Sequence, residues 1–269
     1  YANLETEVVR YFTENWEWPV LKAWFDDLME RYYRWLSFQA DWTEQREASL
    51  KKLVFPYEYR EGQRELAAGV YRSILRKKRL FIQAPTGVGK TLSALFPALK
   101  AVGEGLGDKI FYLTARTITR MVAADTLDLL REQKMRVKSL VLTAKEKLCI
   151  CQEVQCDPDH CPRAKGHYDR INDAVYDLWT QGPDSCTREV ILTQAEKYQV
   201  CPFELSLDLS LWMDVIICDY NYVFDLNVYL KRFFGEGVKG EYLFLVDEAH
   251  NLVDRGREMY SAFVCREDA

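Results

Sequence analysis

The chain has 269 residues, 48% hydrophobic and 29% charged, with a formal net charge of −5. That composition is globular rather than disordered and long enough for one large domain or two ordinary ones. Its longest apolar runs, such as Leu-Phe-Leu-Val at 243–246, fall far short of the roughly 20 residues a membrane span needs, and the acidic total argues against a wholly basic nucleic-acid binder.

No membrane partner is therefore expected. No signal peptide opens the chain, and a cytoplasmic location is the expectation. The start at Tyr1 rather than Met, and the stop at Ala269 without a closing element, imply a piece of a longer protein. Charge is uneven along the chain. Residues 1–55 carry 7 Lys/Arg against 10 Asp/Glu, 56–80 carry 7 against 3, and 116–147 carry 8 against 4. The last two segments are either solvated helix faces or a local basic surface.

Residues 1–54 form a first block, with five of the seven tryptophans. From Pro19, Leu21, Trp24, Phe25, Leu28, Tyr32, Trp35 and Leu36 recur at helical spacing. The pattern predicts one helix whose aromatic stripe is core or a domain-packing surface, with base stacking as the minority reading. After Phe55 the pattern alternates. A helix is predicted over roughly 60–78, then a strand at 80–84 (LFIQA), a glycine loop and a helix from Lys90. Strands follow at 110–114 and 139–142 around a helical stretch near 117–133, and again at 214–218 and 242–247. Such alternation defines an α/β fold with a parallel sheet and helices on both faces. The region 149–201 interrupts that rhythm and reads as an insertion.

The loop at 84–91 reads Ala84-Pro85-Thr86-Gly87-Val88-Gly89-Lys90-Thr91 and sits between the predicted strand and helix. Backbone N–H groups there can cradle phosphates, and Gly87 and Gly89 allow close approach. Lys90 would reach the β- and γ-phosphates of ATP, and Thr91 would ligate Mg²⁺. Asp247-Glu248-Ala249-His250 follows the apolar run 243–246. Asp247 would hold Mg²⁺ through water, Glu248 would polarise the attacking water, and His250 would link the nucleotide to the rest of the machine.

Eight cysteines are more than packing requires, and Cys149, Cys151, Cys156 and Cys161 fall close together. Four thiolates can hold a cubane iron–sulfur cluster or a tetrahedral Zn²⁺. The spacing Cys149-x₆-Cys156-x₄-Cys161-x₃₉-Cys201 has no CxxC knuckle and is a poor zinc ribbon. Cys186, Cys218 and Cys265 read as buried or surface thiols, and His160 and His167 as solvent-facing polar residues, with zinc ligation as the lesser alternative.

Together these elements resemble the superfamily 2 helicases of the DinG/XPD type, over roughly residues 55–264. The resemblance implies a RecA-like P-loop lobe at 55–147 and 203–269, with a [4Fe–4S] insertion at 148–202. Its implied cluster ligands are Cys149, Cys156, Cys161 and Cys201, the last followed by Pro202 and Phe203, with Cys151 as competitor for Cys149. YREGQ at 59–63 is similar to the glutamine element near the adenine, with Gln63 as its residue. YLTARTITR at 112–120 resembles motif Ia, in which Thr114 and Arg116 would meet a single-strand backbone. In ICDYNYVFD at 217–225, Asn221 and Tyr222 would line the DNA path.

Stretches such as TAKEKLC and CPRAKGHYDRINDA are similar to a Firmicutes-type DinG-like subgroup with an upstream Cas4-like PD-(D/E)XK nuclease domain. Residues 1–54 would be the end of that domain and a helical connector, and no nuclease residues are carried over. The implied activity is ATP-dependent unwinding of forked DNA, 5′→3′, shared with a second RecA-like lobe, so this lobe alone would be inactive. An RNA-directed DEAH-type ATPase and a non-catalytic nucleotide- or strand-binding module with a structural metal stay open.

Overall fold

Short apolar runs become the central strands of a parallel sheet in the computed structural model, which describes residues 9, 11, 13–85, 87–151 and 153–262. The chain divides into two units, Tyr1–Thr43 and Glu44–Ala269. In order, the elements are α1 (Trp18–Lys52), α2 (Gln63–Leu75), α3 (Lys90–Gly103), β1 (Lys109–Leu113), α4 (Thr117–Arg131), β2 (Ser139–Val141), α5 (Lys145–Leu148) and α6 (His167–Gln181). They continue with β3 (Ser185–Cys186), α7 (Arg188–Tyr198), α8 (Pro202–Leu209), β4 (Val215–Cys218), α9 (Asn221–Phe224), α10 (Lys231–Phe234), β5 (Tyr242–Val246) and α11 (Leu252–Met259).

From Trp18 to Thr43 the described residues of the first unit are helical. Its polar positions form i,i+4 ion pairs, Lys22–Asp26 and Asp27–Arg31 among them, each contributing a few tenths of a kcal/mol. The aromatic stripe is not core: Trp24, Phe25, Leu28 and Tyr32 are exposed. Their exposure removes the core reading and leaves the packing-surface and base-stacking readings open.

In the second unit the strands run β3-β2-β4-β1-β5, all parallel. β1 and β4 are central and buried along their length, with Ile110 opposite Val215 and Leu113 opposite Cys218. Alternation splits β1 between two faces. Ile110 and Tyr112 join Leu95, Leu99, Leu127, Val215 and Ile217 under α3 and α4. Phe111 faces the other way, into Phe233, Phe234, Tyr242 and Phe244, with ring centroids 5.2–5.5 Å away. Each fully buried side chain of this size contributes about 1.5–3 kcal/mol. Leu50, at the end of α1, is wholly buried in the same core, and a Cβ on Gly103 would stand 2.6 Å from its Cβ. At the sheet end Arg46 pairs with Asp214 at 2.9 Å, and the carboxylate also accepts from the Lys138 N–H.

Two features differ from the sequence expectation. The run 80–84 is not a strand: among the described residues it has no ladder partner, and Leu80, Phe81 and Ile82 are exposed. An apolar run becomes a strand only where a neighbour takes up its N–H and C=O groups. The other is β3, which lies inside the supposed insertion yet hydrogen-bonds into β2, so 149–201 is anchored in the sheet.

Candidate functional site

The glycine loop and the acidic loop meet at the carboxyl ends of the strands. Gly87 and Gly89 have φ of +84° and +78°, the left-handed region that glycine enters without strain. Gly89 also needs the space, since a Cβ there would stand 2.6 Å from Gln63 Nε2. Gln63 is buried at the start of α2; its Nε2 donates to the Val88 carbonyl at 3.0 Å and its Oε1 accepts from Arg60 N–H. Arg60 donates a guanidinium N–H to the Gly87 carbonyl at 2.6 Å. Thr86 lies outside the described residues, as does Cys265, whereas Ala84, Pro85 and Val88 are described.

Lys90 opens α3. Its Nζ donates to the Ala84 carbonyl at 3.2 Å and lies 3.8 Å from Glu248 Oε1, both contacts that an anion could replace. Thr91 Oγ1 lies 3.5 Å from the hydroxyl of Tyr112, which is buried beside Asp247. Burial pushes the Tyr112 phenol well above its ordinary range, with the Asp247 charge adding to it, so the hydroxyl stays protonated. Asp247 donates its N–H to the Leu113 carbonyl at 2.9 Å, extending the β1–β5 ladder by one bond.

Glu248 has φ +50°, a conformation that costs a non-glycine residue about 1–3 kcal/mol. His250 Nδ1 stands 3.4 Å from Glu248 Oε2 and is exposed. Tyr220 is wholly buried and donates to the carbonyls of Asp247 and, at 3.1 Å, Glu248. Asn251 Nδ2 donates to the same Glu248 carbonyl at 3.0 Å.

The expected strand contacts separate into two kinds. Arg116 is exposed just before α4. Thr114 is buried, and its hydroxyl is paired with that of Thr119 in the turn before α4. Tyr222 is likewise buried, with its hydroxyl donating to the Thr143 carbonyl at 3.4 Å. Asn221 is half-buried, and its Oδ1 has no hydrogen-bond partner.

Cys149, Cys156, Cys161 and Cys201 line one cleft with Lys145, Arg163 and Phe203. Cys151 Sγ lies 3.9 Å from Cys161 Sγ. Cys201 caps α8 with Pro202 at the first helical position. Burial raises its thiol, while the N–H groups of Glu204 and Phe203 act in the opposite direction and favour the thiolate. Lys145 is held above its ordinary range by Cys156, which it faces. Arg163 is buried and ties this segment to α7 through the Ala195 carbonyl at 2.9 Å and the Glu196 carboxylate. Among the described residues, no three His, Cys, Asp or Glu side chains are gathered closely enough to hold a single metal ion. His167, expected to face solvent, is instead buried at the start of α6; burial lowers it, and its Nδ1 accepts from the Cys201 N–H at 3.4 Å.

A glycine loop, its lysine and a strand-end acidic pair at this spacing on a parallel sheet define the nucleotide-binding side of a P-loop ATPase lobe. The DEAD_2 family model matches residues 114–268, and the DEAD/DEAH box helicase model matches 64–161. The chain belongs to the DEAD_2 family. It is similar to the regulator of telomere elongation helicase 1 of Homo sapiens, 25% identical over 74% of this chain and 20% of that protein. A homologue from Caenorhabditis elegans is 26% identical over 74% of this chain and 24% of its own length. A probable ATP-dependent helicase of Methanocaldococcus jannaschii is 50% identical over 49 residues, 18% of this chain and 8% of that protein. The fold resembles a solved XPD helicase with a TM-score of 0.53 and 22% identity, covering 74% of this chain and 34% of that one. The chain thus spans between a fifth and a quarter of the length of the full-length relatives.

Proposed function

We propose that this chain is the first motor lobe of an ATP-dependent DNA helicase carrying a [4Fe–4S] cluster. The observation that carries this reading is the meeting of Lys90, Thr91, Asp247 and Glu248 at one end of the sheet, with Lys90 Nζ 3.8 Å from Glu248. Lys90 exchanges its contacts with Ala84 and Glu248 for the β- and γ-phosphates, and Thr91 and Asp247 hold Mg²⁺. When bound, Mg²⁺ would supply charge neutralisation at the transferring phosphoryl group. Glu248, freed from Lys90, orients the attacking water, and His250 carries the state of Glu248 outward. Gln63 and Arg60 hold the loop from the adenine side. Arg116 and Asn221 contact a single strand, Thr114 and Tyr222 fixing their turns from beneath.

Cys149, Cys156, Cys161 and Cys201 hold the cluster, which would fold a loop-rich segment at 148–202. Residues 1–54 connect to an upstream nuclease-like domain of the Cas4 type, and a second RecA-like lobe supplies the arginine that completes the ATP site. Polarity is 5′→3′.

The test uses the full-length protein, purified anaerobically. ATP hydrolysis stimulated by single-stranded DNA, with unwinding of a fork bearing a 5′ tail, is the expected result. Stimulation by RNA alone would turn the reading toward an RNA-directed ATPase. Absorbance near 400 nm with about four irons per chain is expected for the cluster, and a colourless zinc protein would refute it. Residues 1–269 alone should unwind nothing.

A further inference from the structure

The loop bearing Asp247 and Glu248 is supported by a residue outside both ATPase motifs. Tyr220 is wholly buried, and its hydroxyl faces the carbonyls of both Asp247 and Glu248. Glu248 is the residue whose backbone sits in the left-handed region, and a strained conformation persists only where its surroundings over-determine it. Asn251 supplies the second clamp, through Nδ2 and its own N–H, both donating to the Glu248 carbonyl.

Tyr220 also belongs to a second structure. It immediately precedes Asn221, and Asp219 on its other side accepts from Arg255 of α11 at 3.0 Å. Asp219 Oδ1 accepts the Asn221 N–H as well, at 3.1 Å. The turn at 219–222 is therefore bonded both to the acidic loop and to the helix that follows it.

We propose that Tyr220 is a positioning residue for ATP hydrolysis: its hydroxyl holds Glu248 in the backbone conformation that aims the carboxylate at the phosphate site, and it couples that conformation to the turn carrying Asn221. The inference rests on the ATPase reading above and adds a residue to it. Tyr220 touches no phosphate; it acts through Glu248. A hydrolytic carboxylate displaced by a fraction of an ångström still allows nucleotide to bind, so the effect belongs in kcat and not in KM.

The experiment compares full-length wild type with Tyr220→Phe, which removes one oxygen and keeps the buried ring. Strand-stimulated ATP hydrolysis, single-strand affinity and thermal midpoint are measured together. The expected result is a kcat about tenfold lower, with KM for ATP and strand affinity within about twofold of wild type. An unchanged kcat overturns the proposal. So does a loss of kcat matched by a rise in KM and a fall in thermal midpoint, which marks a purely structural role. If Tyr220→Phe cannot be recovered folded, Asn251→Ala tests the other clamp on the same carbonyl; a loss confined to kcat supports the proposal and an unchanged kcat overturns it. Wild type that hydrolyses no ATP defeats the ATPase reading and this proposal with it, whereas active wild type with an unaffected Tyr220→Phe defeats only the positioning role.

Discussion

Lys90 and Thr91 stand at the head of a helix whose inner face, through Leu95, Ala98 and Leu99, is completely buried. The thiols of Cys149, Cys156 and Cys161 stand in a stretch, 149–166, whose described residues form neither helix nor strand. In that stretch Cys161 and Arg163 are buried, while Cys156 and most of its neighbours are exposed. The nucleotide loop thus takes its shape from packing and from hydrogen bonds to Gln63 and Arg60. The cysteine cleft has turns, one arginine tie and the cap of α8. On the function proposed above, the first kind of site is formed before its ligand arrives and the second is completed by it.

The largest effect should come from Lys90→Ala in the full-length protein, lowering ATP hydrolysis by about 10²–10³-fold as an electrostatic contact to the phosphates is lost. Iron content should not change; a variant that also lost its iron would show the two sites to be one cooperative unit. Next, Leu95→Ala should destabilise the lobe by about 3 kcal/mol in urea unfolding, because it leaves a cavity under the nucleotide loop.

Cys201→Ser, or stripping the metal with a chelator, should act locally. Iron falls well below the about four atoms per cluster, and amide exchange accelerates across 149–166 while β1 and α3 keep their protection. Uniform acceleration would erase the distinction between the sites. The gentlest test lies within the sheet half alone. Lys109 is buried at the start of β1, donating to the carbonyls of Ser210, Leu211 and Met213, and burial lowers it to about 8. Between about pH 8 and the ordinary lysine value the unfolded chain binds more protons at this position than the folded one. The Lys109 contribution to stability therefore rises with pH over that window, against the fall contributed by buried phenols and thiols such as Tyr112 and Cys218, so urea midpoints of Lys109→Met should fall more steeply with pH than those of wild type.

The sequence was most readable where one physical requirement acted alone. Ile110–Leu113 and Val215–Cys218 are continuous apolar runs because both of their faces are covered, and they became the central strands. Leu80–Ala84 looks the same in sequence, but pairing is a property of two segments, and no neighbour among the described residues answers it. β3 was invisible for the opposite reason: two residues carry no periodicity, and only the register with Ser139 and Leu140 reveals them. The stripe on α1 has helical spacing whether or not anything covers it. At the site, Lys90, Thr91, Asp247 and Glu248 were legible because their spacing is itself the chemistry. Tyr112 and Tyr220 were not, since a tyrosine in an apolar strand or at its end reads as core until its hydroxyl is located.

The pairing of β3 with β2 carries a mechanical consequence. β3 sits between α6 and α7, and the ladder continues from β2 to β4. A load applied to the cysteine-bearing segment would enter the sheet as shear along parallel hydrogen-bonded strands. Two strands over, β4 ends at Cys218, directly before the turn that holds the acidic loop. The segment is mounted like a blade on a stiff plate, so a force on it would press back on the sheet and not merely bend a loose appendage.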